Sequence, residues 1–578
     1  MCGICGIYGN SEPEITFKML EAILHRGPDG SNIEIYPWGA LGFCRLDIFG
    51  DSGINQPALS GDGKTAIVFN GEIYNCKELI SKLPASKQIN DEASLILELY
   101  LLFGEKCFTM LKGMFAIAIM TPDKVLLARD AVGIKPLVYY TTNNCIYFAS
   151  EIKALLRIKD DMIEIDDEAL AETAVFGFIF DLEKTMFKGI KQILPGNYIK
   201  YQDNKISTVR VHTLKPSYYN DKMAEKIIID DFSNLMDKSA QCQMSHSKHP
   251  QAIYLSGGID SALMTYFMRK NSADTIYTYN LFDSENNEDR RYASIVSKAF
   301  KTNHVEHKTD VEECLNFFDH YLYHYESLVT DGIFNILGSL AFHLLSYQIS
   351  KKLKVAYCGE GADELFGGYY WMHTHPLGFA DRIRMRSKKV NCGKTKINEY
   401  IMDKFPRDDS KEKEIQREIF DILMGPGLTN CHLWSVDRSS SAFSFEARPF
   451  YLYDDIRDWA LSLPIENKVK DKNTKLVLKK YAHKLDCQLL NDVASRKKIG
   501  MPAALSTSMI KLISYSEENF RSIKATCDLP HKAYSSFFNT DFERRLFDKF
   551  YKIFVVDRGK MINGGRGDVV AELTWQGR

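Results

Sequence analysis

The pattern of apolar residues changes once along this chain of 578 residues, near residue 225. Before that point, alternating apolar runs broken by turn residues predict strands that pair with near neighbours in sequence. Examples are Lys64–Asn70 and a hairpin formed by Met114–Met120 and Lys124–Arg129. The strongly apolar segment Glu92–Phe103 predicts one buried helix among these strands. The first part of the chain is therefore predicted to be of the α+β class.

After residue 225 strands and helices alternate. The predicted strands are Ala252–Leu255, Thr275–Leu281 and Val355–Cys358, and the predicted helices are Asp260–Arg269, Asp289–Phe300 and Phe334–Ser350. Such alternation is typical of an α/β domain, a parallel sheet with helices on its faces. Beyond about residue 400 the pattern is mostly helical. We predict one domain over 1–208, a linker over 209–228 and a second domain over 229–578.

Composition excludes several classes of function. The 73 Lys and Arg nearly balance the 75 Asp and Glu, which disfavours a broad basic face for nucleic acid. The apolar runs are too short to span a bilayer and no leader precedes them, so we expect neither a membrane nor a nucleic-acid partner. The 13 cysteines are scattered, which fits a reducing compartment. We expect a cytoplasmic protein.

Cys2 follows the initiator methionine directly. Removal of Met1 would join the Cys2 thiol to a free α-amine, whose ordinary pKa is near 8. That amine could take the proton of the thiol, so one residue would supply both nucleophile and base. Taken alone, Cys2 is better explained as a small buried apolar residue.

Polar residues at predicted turns favour the interpretation of Cys2 as a nucleophile. They lie in His25–Gly30, Arg45–Leu46, Asn70–Asn75 and at Asp91. Arg45 can pair with a carboxylate and Asp91 with an ammonium group. The side chain of Asn70 and the N–H of the next residue can stabilise an oxyanion. Together these groups suit recognition of a small zwitterion.

The first domain resembles the glutaminase domain of class II glutamine amidotransferases, in the segments MCGI, HRGPDG, NGEIYN, RDAVGIKPL and FASEIKAL. The resemblance implies an N-terminal-nucleophile fold, an αββα sandwich. It implies Cys2 as nucleophile, assisted by Asn70 and Gly71. The residues it implies for glutamine binding are Arg45, Leu46, Asp47, Ile48, Phe49, Asn70, Gly71, Glu72 and Asp91.

Two glycine-rich turns follow predicted strands of the second domain. Ser256–Ser261 (SGGIDS) opens a helix, where backbone N–H groups can bind phosphate, and Asp260 can hold Mg²⁺. A lone Ser-Gly-Gly turn is otherwise a plain connection, and no Walker motif is present. Gly359–Tyr369 (GEGADELFGGY) follows a later strand. Because ligands gather at the carboxyl ends of parallel strands, both turns are predicted to face one nucleotide.

The two turns resemble the ATP-pyrophosphatase domain of asparagine synthetases, and their order after a glutaminase domain matches that family along nearly the whole chain. Further matching segments are Asp437-Arg438, Glu446-Ala447-Arg448 and Arg496-Lys497-Lys498. The residues implied for ATP binding are Tyr254, Leu255, Ser256, Gly257, Gly258, Asp260, Ser261, Tyr279, Cys358 and Gly359. Asp260 and Asp363 would bind Mg²⁺, Glu360 would take a proton from ammonia, and Lys498 would neutralise phosphate charge.

The resemblance implies that ATP adenylates a small carboxylate, aspartate in this family, and that ammonia from glutamine displaces AMP. Three stretches depart from the usual pattern: Cys358 replaces a serine, and Tyr325–Asp331 and Glu446–Asp455 also differ. The last two lie near the acceptor site in the family, so another carboxylate remains an alternative. A lactam-forming relative or a non-catalytic regulator is a weaker alternative, because Cys2 is intact. A homodimer is one open assembly, and the tail 557–578 matches nothing.

Overall fold

A computed structural model describes residues 1–9, 13–49, 56–87, 89, 91–158, 163–214, 225–328, 332–369, 381, 385, 418–470, 473–485, 487–496, 505 and 541–557. The first-domain strands are β1 Gly3–Tyr8, β2 Gly30–Tyr36, β3 Gly39–Arg45, β4 Ala58–Leu59, β5 Ala66–Ile73, β6 Gly113–Met120, β7 Val125–Arg129, β8 Val138–Thr141, β9 Ile146–Ala149, β10 Lys191–Gln192, β11 Asn197–Gln202 and β12 Lys205–Arg210. The helices of this domain are Pro13–Glu21, Cys76–Ile80, Glu92–Phe103, Ile152–Leu155 and Asp167–Phe176, with 3-10 turns at Leu24–Arg26 and Gly104–Met110.

These strands form two antiparallel six-stranded sheets, in the orders β10-β8-β9-β1-β3-β2 and β12-β11-β7-β6-β5-β4. The sheets pack face to face, since Phe43 and Phe148 of one share a buried cluster with Val68 and Ala118 of the other. The outer face of the second sheet packs on Glu92–Phe103, and that of the first packs on Pro13–Glu21. The αββα sandwich implied by the resemblance is confirmed.

Local sequence explains two elements that position the first site. The helix Glu92–Phe103 begins where the Asp91 carboxylate accepts a hydrogen bond from Ser94 N at 2.7 Å, and ends at Gly104. In β5, Gly71 has φ +151°, and a Cβ there would lie 2.0 Å from Met114 O on β6. Only glycine lets the two strands approach so closely at this position.

The second domain holds the strands β13 Gln251–Tyr254, β14 Ile276–Phe282, β15 Asn303–Lys308, β16 Val355–Cys358 and β17 Glu446–Pro449. They form one parallel sheet in the order β15-β14-β13-β16-β17. Its helices are Glu225–Ser245, Ile259–Lys270, Glu288–Phe300, Val311–Tyr325, Gly332–Ser350, Ala362–Phe366, Trp434–Ser441, Asp454–Ser462, Ile465–Lys468, Leu476–Lys484, Gln488–Ser495 and Asp541–Tyr551. Helical turns also run over Glu418–Leu433, kinked at Gly425, and over Phe450–Leu452 and Lys552–Val556.

The predicted α/β alternation is confirmed, and each strand or helix predicted after residue 225 begins and ends within two residues of an observed one. The sequence analysis did not identify β15, β17 or the long helix Glu225–Ser245. The helix is only weakly apolar. Strand β15 is polar and partly exposed, and β17 is only four residues long and contains two charged residues. Within the described ranges, no helix is long and apolar enough to cross a membrane.

Candidate functional site

Cys2 lies directly before β1. Because Gly3 of β1 pairs with Cys44 of the antiparallel strand β3, Cys2 lies opposite Arg45. Its Sγ lies 3.9 Å from the carbonyl oxygen of Leu46, and its own carbonyl accepts a hydrogen bond from Arg26 Nε at 3.1 Å. Burial raises the pKa of the Cys2 thiol. The thiol therefore needs a nearby base before it can act as a nucleophile.

Arg26, from the HRGPDG segment, is fully buried behind Cys2. Its guanidinium donates to Glu151 Oε1 at 2.6 Å and to Asp437 Oδ2 at 2.9 Å. Two carboxylates thus neutralise one buried cation, and Asp437 comes from the second domain. Arg26 fixes the backbone of Cys2 against both domains.

Two polar side chains of the first domain have buried atoms without a partner among the described residues. Asn70 is 1% exposed, and neither its amide nitrogen nor its amide oxygen has a hydrogen-bond partner among the described residues. Asp91 caps a helix through Oδ1, while its buried Oδ2 has no partner in the same part of the chain. A buried polar atom without a partner costs about 1–3 kcal/mol, so such atoms mark places that a polar ligand can fill.

The other residues predicted to bind glutamine lie in the loop after β3, in the apolar core and at the domain interface. The loop after β3 runs past Cys2 and is held by its own contacts, with Arg45 Nη2 3.2 Å from Asp47 Oδ1, which also accepts from Phe49 N at 3.2 Å. Leu46 and Ile48 are buried in the apolar core shared with the second domain.

Glu72 instead forms an ion pair with Arg448 of the second domain at 3.1 Å. The structure thus directs the Glu72 carboxylate towards the domain interface.

The turn Ser256–Ser261 joins β13 to the helix Ile259–Lys270, whose N-terminus carries no side-chain cap. Gly257 has φ +71°, and a Cβ there would lie 2.6 Å from Ala293 N. Ser256 Oγ and Ser261 Oγ are 3.2 Å apart across the turn. A close turn with uncapped N–H groups at a helix start suits phosphate oxygens.

The second glycine-rich turn faces the first, as predicted. A Cβ built on Gly359 would lie 3.6 Å from Asp260 Cβ. Lys475 Nζ contacts the carboxylates of both Asp260 and Asp363, the latter at 2.7 Å, although the three residues are far apart in sequence. Burial alone would lower the pKa of Lys475, but the two carboxylates raise it. Two acids therefore converge on one buried ammonium group.

Glu360 lies in the same turn and contacts a histidine. Its Oε2 is 3.3 Å from His432 Nδ1, and the other ring nitrogen of His432 lies 3.0 Å from the hydroxyl of Tyr369. The Tyr369 hydroxyl in turn donates to Glu364 at 2.5 Å. Burial alone would lower the pKa of His432, but its hydrogen bond to Glu360 and the nearby carboxylates raise it to about 9. His432 is therefore an imidazolium near neutral pH.

Three residues predicted to line ATP have buried side chains. The hydroxyl of Tyr254 is 2.8 Å from Ser346 Oγ, and its ring stacks on Phe342 at 4.3 Å. Tyr279 and Cys358 are each 1% exposed. Contacts of these three residues with a nucleotide would therefore use their backbone. Leu255 is likewise buried at the end of β13.

Lys498 and the tail 558–578 lie outside the described residues, as do 215–224 of the predicted linker and 329–331. Arg496, from the same segment as Lys498, is described. Its Nη1 donates to the carbonyl of Gly257 at 3.3 Å and its side chain forms an ion pair with Asp289. The Arg-Lys-Lys segment thus begins beside the Ser256–Ser261 turn.

A buried chain of charges joins the two domains. Lys135 Nζ of the first domain lies 2.9 Å from Glu446, which accepts from Arg448 Nε at 2.8 Å, and Arg448 reaches Glu72. Burial alone would raise the pKa of Glu446, but Lys135 and Arg448 lower it to about 2. The segments RDAVGIKPL, EAR and NGEIYN are thus parts of one interface.

The sequence analysis missed Lys475 and His432. Lys475 lies in a lysine-rich segment and has a left-handed backbone, at φ 55°, which no local pattern indicates. His432 follows the kinked stretch at Gly425 and belongs to no motif. The acidic partners of Lys475 and His432 were predicted to be site residues. Their clustering is the signal that could have indicated a nearby cation.

Comparisons with known proteins match both parts of the chain. A model of the glutamine amidotransferase domain matches residues 1–213, and a model named asparagine synthase matches residues 231–562. Asparagine synthetase [glutamine-hydrolyzing] 1 of Bacillus subtilis (strain 168) is 27% identical over 565 residues, which cover 87% of each chain. Asparagine synthetase [glutamine-hydrolyzing] 3 of the same organism is 28% identical over 580 residues, covering 91% of this chain and 90% of its own.

Proposed function

The chain belongs to the asparagine synthase family, and we propose that it makes asparagine from aspartate, with ATP as the source of energy and glutamine as the source of nitrogen. The observation that carries this proposal is the pairing of two sites. The first domain carries Cys2 together with a buried amide and a buried carboxylate oxygen that have no partner among the described residues. A phosphate-sized turn faces convergent carboxylates in the other.

In the first site, Cys2 Sγ attacks the glutamine carboxamide, ammonia leaves, and water hydrolyses the resulting thioester. Asn70 and the N–H of Gly71 stabilise the oxyanion, and Asp91 binds the glutamine ammonium group. Met1 is 1% exposed, and burial lowers the pKa of its α-amine to about 5. Removal of Met1 would free an α-amine on Cys2, whose ordinary pKa is near 8, to accept the proton of the thiol.

In the second site, a carboxylate oxygen of aspartate attacks the α-phosphorus of ATP and pyrophosphate leaves. The Ser256–Ser261 turn would hold the pyrophosphate. Asp260 and Asp363 fit Mg²⁺, because two carboxylates converge on a point that already accommodates a cation, the ammonium of Lys475. When bound, Mg²⁺ would neutralise phosphate charge, which Lys475 and Lys498 would also do.

The amide-forming step needs a proton acceptor, because ammonia that attacks the acyl-adenylate becomes positively charged. We assign this role to Glu360, which lies in the same turn as Asp363. His432 contacts Glu360 and so holds its carboxylate in place. We divide the chain into a glutaminase domain (1–208), a linker (209–228) and a synthetase domain (229–578).

The test is an assay of the purified protein with ATP, Mg²⁺ and glutamine against a panel of carboxylates, with AMP and pyrophosphate as products. Aspartate should support AMP formation and asparagine should accumulate. AMP formation with another carboxylate, but not with aspartate, would replace the acceptor and keep both sites. Glutamine hydrolysis without AMP from any carboxylate would contradict the proposal.

Glu360→Gln separates the two steps of the second site. If Glu360 accepts the proton of ammonia, this variant should still release pyrophosphate from ATP and aspartate, while asparagine formation falls. Lys498→Ala should instead reduce pyrophosphate release itself. A Glu360→Gln variant that makes asparagine at the wild-type rate would assign Glu360 a structural role only.

A further inference from the structure

Three side chains with metal-ligand atoms converge at the domain interface, away from the acidic pair Asp260 and Asp363. Cys76 opens a short helix in the first domain, Glu92 opens another, and His246 follows the long helix Glu225–Ser245 of the second. One donor atom from each lies within 4.8 Å of the other two, and Cys76 Sγ is 3.9 Å from Glu92 Oε1. Ligand atoms around tetrahedral zinc lie roughly 3.5 Å apart, so small side-chain shifts would close the site.

The ring of His246 has a conflict that a cation would remove. Its Nδ1 lies 2.8 Å from the carbonyl oxygen of Cys242, and its Nε2 lies 3.2 Å from that of Ile73. A neutral imidazole has a single N–H, so in either tautomer one ring nitrogen points its lone pair at a carbonyl oxygen. With a metal on Nε2, Nδ1–H would donate to Cys242, as metal-bound histidines usually do.

The charges at this position also suit a divalent cation. Cys76 Sγ lies 2.8 Å from the carbonyl oxygen of Ile73, and Glu92 Oε1 accepts a hydrogen bond from Ile73 N at 2.6 Å. Arg448 is itself paired with Glu72 at 3.1 Å and with Glu446 at 2.8 Å. A thiolate and a carboxylate would balance the two charges of one metal ion.

We propose that Cys76, Glu92 and His246 form a site for a thiophilic divalent cation, Zn²⁺ by its ligand preference, that ties the two domains together. Thiolate and imidazole select Zn²⁺ over Mg²⁺, which prefers oxygen ligands, so the site differs in chemistry from the Asp260–Asp363 pair. Glu92 follows Asp91, and Ile73 ends the strand that carries Asn70. A bound ion would therefore fix the glutaminase site against the helix Glu225–Ser245.

Co²⁺ tests this proposal, because its coordination by a thiolate produces a charge-transfer absorption that oxygen ligands do not. The whole protein, stripped with a chelator, is titrated with Co²⁺ in the absence of Mg²⁺ and ATP. Wild type should show the thiolate band and saturate at one thiolate-bound ion per chain. Cys76→Ser should lose the band, and His246→Gln should weaken binding by at least about 10-fold. Cys487→Ser, at another part-buried cysteine, should behave as wild type.

The wild type alone can overturn the proposal. A Co²⁺ titration without a thiolate band would show that His246 is simply protonated or strained. A band that survives in Cys76→Ser would place the ion at another cysteine, such as Cys2. If a variant misfolds, Zn²⁺ titration of the wild type remains decisive, since a bound ion must raise its thermal midpoint with concentration. No such rise at saturating Zn²⁺ would refute the domain-bridging role.

Discussion

The two candidate sites differ in how their polar groups are satisfied. In the first domain, the amide of Asn70 and one oxygen of Asp91 are buried and have no partner among the described residues. In the synthetase domain, the carboxylates of Asp260 and Asp363 share the ammonium of Lys475. The first site lacks hydrogen-bond partners, whereas the second holds charges that already compensate one another.

This difference follows from the ligands. Glutamine is a small zwitterion with a neutral amide. Before it binds, each buried polar group that lacks a hydrogen-bond partner costs about 1–3 kcal/mol. ATP brings several charges, and two part-buried carboxylates without a cation would cost far more. A resident lysine keeps the second site folded before its ligands arrive. Four predictions test the contrast, from the largest expected effect to the smallest.

Cys2→Ala should abolish glutamine-dependent asparagine synthesis, a fall of more than about 10⁴-fold, because it removes the nucleophile. Ammonia-dependent synthesis should stay within about twofold of wild type, since the second site is unchanged. Both rates are measured by asparagine formation. Cys5→Ala, at the buried neighbour in β1, serves as the control and should keep glutaminase activity. Equal loss with both nitrogen donors would contradict separate sites.

Asp260→Asn and Asp363→Asn should each lower AMP and pyrophosphate formation by about 10³-fold, as expected when a carboxylate that holds Mg²⁺ is lost. Glutamine hydrolysis should continue in both. Asp458→Asn is the matched control, because the Asp458 side chain is 63% exposed. If the nucleotide product of the wild type is ADP, adenylation is the wrong reaction for this site.

Asn70→Ala should lower kcat for glutamine hydrolysis by about 10²–10³-fold, the usual effect of removing one oxyanion donor. Ammonia-dependent synthesis should not change. Asn75→Ala removes an amide from the same NGEIYN segment, at the start of a short helix, and should leave kcat near the wild-type value. A purely structural role for Asn70 would instead lower the thermal midpoint and spare the kcat of the folded fraction.

His432→Gln should change stability in a pH-dependent way. Because the pKa of His432 is raised to about 9 in the folded protein, from an ordinary value near 6.5, the charged ring stabilises the fold fully below pH 6.5. That contribution is lost as pH rises through about 9. The thermal midpoints of wild type and variant should therefore differ most near pH 6 and converge above pH 9. A difference that grows with pH would have the wrong sign.

Much of the fold was predictable because its signals are local. The apolar segment Glu92–Phe103 and the hairpin around Pro122 formed where the pattern predicted them, since periodicity and turn residues act within a few positions. The long helix Glu225–Ser245 was missed, because it buries a narrow face along a largely polar sequence. The strand β17 was missed because two of its four buried residues, Glu446 and Arg448, are charged.

The sequence by itself determined which chemical groups are present: a cysteine at position 2, the pair Asn70-Gly71, and glycine-rich acidic turns after two strands. Only the tertiary structure decided which charges meet. Glu72 was predicted to bind a ligand, and the fold pairs it with Arg448. Lys475 joins Asp260 and Asp363 across more than 100 residues of sequence. Burial makes an unpaired charge too costly to tolerate, and the identity of the compensating partner depends on which elements pack together, which no local pattern records.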